Sequence, residues 1–258
     1  MVDPAPDTPA GTVALLPGSG SSGDFLARAF APIIGTANTI VVSHESGDAQ
    51  AAATVLAQAY DHCADAGVPI TRVIGVSIGA HAAAWWASRL PLPPPDSAQS
   101  TEPNHHAALD LVLALPAWTG PPDAIATITA HSAERLATTG IDSELATLHQ
   151  QFPGDWVVAE LDSAWRHREL APLATALRGT AASAAPTIED LARIAIPTCV
   201  VALADDPLHP ASVARQWTDA IPSAVFASVS RHAPATDRAV FGQAVCAAWL
   251  DLPASASQ

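Results

Sequence analysis

The chain contains no lysine; all 11 of its basic residues are arginine, set against 25 acids for a net charge of −14. The arginines form no basic patch along the sequence, so nothing is gathered to neutralise a phosphate backbone, and nucleic acid is excluded as the expected partner. Anionic membrane surfaces repel a chain of this sign for the same reason. The surplus acid reads as the charge that keeps an alanine-rich protein in solution.

Cysteine is also scarce. Cys63, Cys199 and Cys246 are odd in number and show no CxxC spacing, which argues against a disulfide framework or a thiolate metal site and leaves three buried thiols. No metal is expected. Long hydrophobic runs are absent too: none approaches the ~20 apolar residues that span a bilayer. Met1-Val2-Asp3-Pro4-Ala5-Pro6-Asp7 carries acids where a signal peptide carries Lys or Arg. The expected compartment is the cytoplasm. With 49% hydrophobic and 14% charged residues, the composition is globular rather than disordered. A chain of 258 residues buries roughly 70–75% of its unfolded surface and needs no covalent or metal staple.

What is present is a series of short apolar runs alternating with helical patterns. Residues 12–16, 39–42, 71–76, 109–115, 198–203 and 224–229 are apolar on both faces and rich in β-branched residues, as strands covered on two sides are. Helical patterns follow at 50–66, 77–90 and 236–250. The alternation predicts an α/β fold, a doubly wound and mostly parallel sheet. About 80 residues of mostly helical pattern separate the fourth and fifth strands, with helices expected at 124–139, 142–151 and 155–168. A crossover needs one helix, so the surplus reads as an inserted helical cap. The expected division is a core of 1–116 and 187–258 with the cap at 117–186. Thr187 is placed to cap a short helix, with Asp190 at the capping-box position. Residues 91–106 read as a polar, proline-rich surface loop.

Gly75-Val76-Ser77-Ile78-Gly79 matches G-x-S-x-G directly after a strand and at the start of a helix, the context in which the motif places a serine nucleophile on a tight turn. A serine hydroxyl needs a histidine to take its proton and an acid to orient that histidine. After the fifth strand comes Ala204-Asp205-Asp206-Pro207-Leu208-His209-Pro210, and after the sixth Ser230-Arg231-His232-Ala233-Pro234. Both segments stand at carboxyl ends of strands, where open α/β sheets gather their sites. The loop after the first strand, Pro17-Gly18-Ser19-Gly20-Ser21-Ser22-Gly23, lies at the same edge.

On these residues the chain resembles the α/β-hydrolase fold superfamily over about 12–90 and 188–252. The tail resembles the family's G-x-x-D-x-x-x-P region, with Leu203 in place of the glycine and Pro210 as the proline. Arg231-His232 resembles its Gly-His, and the first loop its His-Gly-x, with Pro17 at the histidine position. The resemblance implies Ser77 as nucleophile, Asp206 as acid and His232 as base. It implies the N–H groups of Ser19 and Ile78 as the oxyanion hole. Asp205 is expected to be a solvated loop residue, His209 a loop histidine near the mouth of the site, His81 to pack against a neighbour, His44 to be structural or mouth-lining, and His105 and His106 to be loop surface. Trp118, just past the fourth strand, is the expected wall of an apolar, substrate-binding pocket. The implied activity is cofactor-independent hydrolysis of an ester-like bond in a small to medium hydrophobic acyl substrate.

Two other readings stand beside it. Gly18, Gly20 and Gly23 also spell G-x-G-x-x-G, with Glu45 after the next strand, as in an NAD(P)-dependent oxidoreductase. A non-catalytic binding protein on the same scaffold is the third. The sequence leaves substrate identity and oligomeric state open.

Overall fold

The computed structural model describes residues 11–43, 45–91 and 109–250; His44, His105, His106 and most of the 91–106 segment lie outside the described residues. Six strands form one sheet: β1 (Thr12–Leu16), β2 (Asn38–Val41), β3 (Ile70–Val76), β4 (Asp110–Ala114), β5 (Thr198–Leu203) and β6 (Ala224–Val229). Their order is β2-β1-β3-β4-β5-β6, and every pairing is parallel. The strands fall within a residue or so of the apolar runs; the inner strands β1, β3, β4 and β5 are mostly buried, while the edge strands β2 and β6 are more open.

Alternate residues of each strand feed two cores. Val13 and Leu15 of β1 face Phe25 and Leu26 of α1 (Gly23–Ala29), Ile33 of α2 (Ala31–Ile34) and, far along the chain, Phe241 and Val245. Ala14 and Leu16 face the opposite layer. There α3 (Ala49–Asp65) contributes Ala52, Ala53 and Leu56, and α4 (Ile78–Ala87) contributes Ala80, Ala83 and Ala84. Alanine lets α4 lie close upon the central strands, so that helix is buried almost all round. Ser22 caps α1 by accepting from the Phe25 N–H at 3.2 Å.

Five helices stand between β4 and β5 among the described residues, of which the first four form the insert: α5 (Ala124–Thr139), α6 (Ile141–Gln151), α7 (Trp156–Trp165) and α8 (Leu170–Ala182). They bury a stripe of their own, including Leu136, Leu145, Trp165, Leu173 and Leu177. Glu144 is buried at its centre and accepts from Ser132 Oγ at 2.8 Å and from Arg135 Nε and Nη2 at 2.8 and 2.7 Å. The chain returns to the sheet through α9 (Ile188–Leu191), where Thr187 and Asp190 form the anticipated capping box. It then forms α10 (Ala211–Ala220), which lays Ala214 and Trp217 into the core. After β6 come α11 (Ala233–Thr236) and α12 (Val240–Leu250). The helix expected over 236–250 begins only at Val240, since Asp237 is extended and closes the short α11 ahead of it. No helix among the described residues is long and apolar enough to cross a membrane.

The ionic centre of the insert yields a stability prediction. Arg135→Leu leaves the Glu144 carboxylate buried without its cation. Removing one partner of a fully buried pair costs roughly 3–5 kcal/mol. Arg135 is partly open to solvent, so the expected loss is about 2 kcal/mol, measured by urea denaturation; a loss within error of zero would show that water replaces the guanidinium.

Candidate active site

The site starts from a backbone constraint at the end of β3. Ser77 has φ 57° and ψ −122°, a conformation that costs a residue with a Cβ of order 1–3 kcal/mol. Its neighbours make the turn possible. A Cβ on Gly75 would overlap the Gly79 carbonyl, and one on Gly79 would overlap the Leu16 carbonyl. The two glycines therefore let β3, α4 and the end of β1 meet backbone to backbone. Ser77 N–H donates to the Ala114 carbonyl at 2.9 Å, which ties the turn to β4. Leu115 and Asp205, with φ 56° and 59°, follow β4 and β5. The positive-φ non-glycine residues among those described thus all stand just past carboxyl ends of central strands, where strain gathers at functional sites.

The fifth-strand loop supplies both an acid and a histidine. Asp206 Oδ1 accepts the Leu208 N–H at 2.9 Å, an Asx-type turn that fixes the carboxylate and points the following residues back across it. His209 Nδ1 then stands 3.0 Å from Asp206 Oδ2, and His209 Nε2 stands 3.1 Å from Ser77 Oγ. The serine, histidine and carboxylate form one hydrogen-bonded chain. Asp206 is buried and Asp205 is exposed.

The structure brings His209, in place of the expected His232, to Ser77 and Asp206. His232 follows β6 as anticipated, but its side chain is exposed and makes no hydrogen bond or ion pair within the described structure. The residue before it explains why. Arg231, at the position of the family's glycine, turns its guanidinium inward. Nη1 lies 3.5 Å from Asp206 Oδ1 and Nη2 lies 2.5 Å from Asp155 Oδ2. Its carbonyl accepts from Trp156 Nε1 at 2.8 Å. The ground beside the acid is occupied by arginine, and His232 is left on the outer side of the turn. A local signal for His209 existed in the sequence: an aspartate and a histidine three residues apart, around a proline, at a strand's carboxyl end.

The first loop meets Ser77 directly, since a Cβ on Gly18 would lie 3.2 Å from Ser77 Cβ. The Ser19 N–H has no partner among the described residues. Ile78 opens α4, where first-turn N–H groups have no intrahelical acceptor. The second of the loop's glycines, Gly20, lies against Leu161 and Trp165, so the approach a pyrophosphate needs in the dinucleotide reading is taken by protein.

Trp118 departs from its expected place. It is 2% exposed and stands edge-on to His81 at 5.0 Å within the core layer that holds α4, so it offers a ligand almost no wall. His81 is fully buried, and its Nε2 accepts the Ala117 N–H at 3.1 Å. Burial, with a smaller contribution from His209, pushes its pKa down to about 3. It is a neutral packing and acceptor group.

Burial alone would raise the pKa of Asp206. The hydrogen bond and charge of His209, the Leu208 N–H and Arg231 outweigh it and hold the carboxyl below the ordinary aspartate value. A depressed folded-state pKa stabilises the fold above the unfolded value and loses that contribution as pH falls through the folded one. The stability difference between wild type and Asp206→Asn is therefore expected to be full at neutral pH and to shrink below about pH 4. Urea titrations across this range check it, and a difference that stays constant into strong acid would contradict it.

No protein-family model matches the chain, and no curated protein matches it in sequence. Solved structures do match in shape. The enol-lactonase from Burkholderia xenovorans LB400 aligns with a TM-score of 0.62 at 14% identity, over 88% of this chain and 85% of that one. MenH from S. aureus aligns at 0.64 and 16%, over 92% and 90%. A thermophilic esterase from Thermogutta terrifontis aligns at 0.63 and 17%, over 93% and 89%. Near-complete coverage of both chains, together with the parallel six-strand sheet and the serine turn after β3, shows that the chain has the α/β-hydrolase fold.

Proposed function

We propose that this chain is a cofactor-independent serine hydrolase that cleaves an ester-like bond through an acyl-enzyme. The observation that carries the reading is the unbroken chain from Ser77 Oγ through His209 to Asp206, at 3.1 and 3.0 Å. His209 Nε2 takes the hydroxyl proton as Ser77 Oγ attacks the substrate carbonyl. Asp206, ionised, holds the proton on Nδ1 and stabilises the imidazolium that forms. The N–H groups of Ser19 and Ile78 receive the developing oxyanion. His209 returns the proton to the leaving alkoxide, and the acyl group remains on Ser77. Water then attacks with His209 again as base, releasing the acid and restoring the hydroxyl.

The neighbours named as an esterase and an enol-lactonase support an acyl-oxygen bond as the target. The helical insert lies against the Ser19–Gly20 turn, which favours small to medium acyl groups over polymers.

A fluorophosphonate is expected to label Ser77, and Ser77→Ala to lose on the order of six decades of kcat on a short-chain p-nitrophenyl ester. His209→Ala should be comparably damaged and Asp206→Asn should lose about 10⁴, while His232→Ala stays near wild type. If His232→Ala is the crippled variant and His209→Ala is not, the base is misassigned. A chain inert to the phosphonate is a binding protein, not a hydrolase.

A further inference from the structure

Ser19 and Gly20 are the central residues of a turn. Ser21 N–H donates to the Gly18 carbonyl at 3.0 Å, and Gly18 N–H donates to Ser21 Oγ at 2.9 Å. Both central carbonyls accept from the helical insert. Arg168 Nη1 donates to the Ser19 carbonyl at 2.6 Å, and Trp165 Nε1 donates to the Gly20 carbonyl at 3.1 Å. The packing is as close as the bonding: a Cβ on Gly20 would lie 3.0 Å from Leu161 Cδ2 and 3.3 Å from Trp165 Nε1.

Arg168 differs from the other arginines that join the insert to the sheet layers. Arg28 and Arg238 each bind Glu160, at 2.7 and 2.8 Å, and Arg231 binds Asp155. Among the described residues Arg168 has no carboxylate within ion-pair distance, and its guanidinium's one hydrogen bond goes to the turn. It is also partly buried, and that burial lowers its pKa against the opposing charge of Glu45. A half-buried cation spent on a neutral carbonyl calls for a reason, and the location supplies one. In a trans peptide the C=O and N–H point in opposite directions, so holding two successive carbonyls fixes the planes on either side of Gly20. It also restrains the backbone of Ser19, whose own N–H has no partner among the described residues.

We propose that Arg168 and Trp165 are positioning residues of the oxyanion site, holding the Gly18–Ser21 turn from the insert so that the Ser19 N–H stays aimed at the carbonyl oxygen attacked by Ser77. This rests on the hydrolase reading above. It makes the oxyanion hole a joint product of core and insert.

The test compares wild type, Arg168→Met, Arg168→Lys and Trp165→Phe on a p-nitrophenyl ester. The partner measurement is inhibition by a trifluoromethyl ketone, whose hemiketal oxygen needs the same donors. Outright loss of an oxyanion donor costs roughly 10²–10³ in rate; a loosened donor is expected to cost less. Arg168→Met should lower kcat by about 10- to 100-fold with KM little changed. The ketone's affinity should fall by the same factor, the pH profile should keep its shape, and Arg168→Lys should recover part of the loss. Amide hydrogen exchange at residues 18–21 should quicken. If Arg168→Met does not fold, Trp165→Phe removes a single donor while keeping the ring, and should show the same paired fall in kcat and ketone affinity. Unchanged kcat and ketone affinity despite faster exchange would overturn the proposal, as would a KM rise at constant kcat, which would make Arg168 a substrate ligand. A wild-type chain that resists the fluorophosphonate overturns the hydrolase reading itself, and the proposal with it, before any insert variant is made.

Discussion

Everything at the carboxyl edge of the sheet depends on three backbones meeting without side chains between them. Leu16 at the end of β1, Gly75 at the end of β3 and Gly79 in the first turn of α4 are in direct contact. That contact forces Ser77 into positive φ and brings Gly18 against its Cβ. It thereby sets the distance between the serine hydroxyl and the loop whose N–H groups could receive a negative charge. A left-handed serine is unfavourable by of order 1–3 kcal/mol. It persists because β1, β3 and β4 are buried on both faces, and relaxing the turn would pull the alanine face of α4 away from them. Burying even one methyl-rich helix face contributes several kcal/mol at roughly 25 cal/mol per Å², so the packing wins and the strain is retained.

The electrostatics follow from the same crowding. Asp206 is a buried carboxylate, and an isolated buried carboxylate would take up a proton. Three neighbours reverse that outcome: the imidazole of His209, the N–H of Leu208 and the guanidinium of Arg231. Arg231 is shared. One arm faces the acid beside Ser77 and the other holds Asp155, the N-cap residue of α7. The arginine that displaces His232 from the acid therefore also links that acid to the insert.

The sheet was legible because its signal is redundant. The inner strands β1, β3, β4 and β5 are mostly buried and spell continuous apolar runs, the edge strands β2 and β6 keep β-branched residues though more open, and a shift of one residue at an end hides none of them. The serine turn was legible because its glycines are required by contact, and the Thr187 capping box because cap chemistry is local. The histidine was not. His209 and His232 both follow strands at the correct edge, and sequence order reports the strand a residue follows, not the direction its side chain takes. Direction here is decided by the Asx turn at Asp206 and by the inward arginine, both of which depend on neighbours brought together by folding. Trp118 was misread for a similar cause: its place in the chain put it at the mouth of the site, while the space beside His81 drew the ring into the core. Helix α10 has a plain local face, Ala211, Ala214 and Trp217, but it follows a loop rich in candidate chemistry that masks its start.

Helix α7 shows how the insert and the sheet are coupled. Its first residue, Trp156, belongs to the sheet's core, with its ring 6.1 Å from Phe25 and 6.2 Å from Phe241. Its last, Trp165, belongs to the insert's own core and bonds to Gly20. Between them Glu160 takes Arg28 from one side and Arg238 from the other. One apolar anchor and a set of charged bonds respond to solvent in different ways. Exposed ion pairs weaken with salt, whereas a buried aromatic contact scarcely does. The helix therefore meets the sheet layer at both ends, through the Phe25–Trp156–Phe241 cluster at one and the Trp165–Gly20 bond at the other, with the salt-sensitive Glu160 pairs between them.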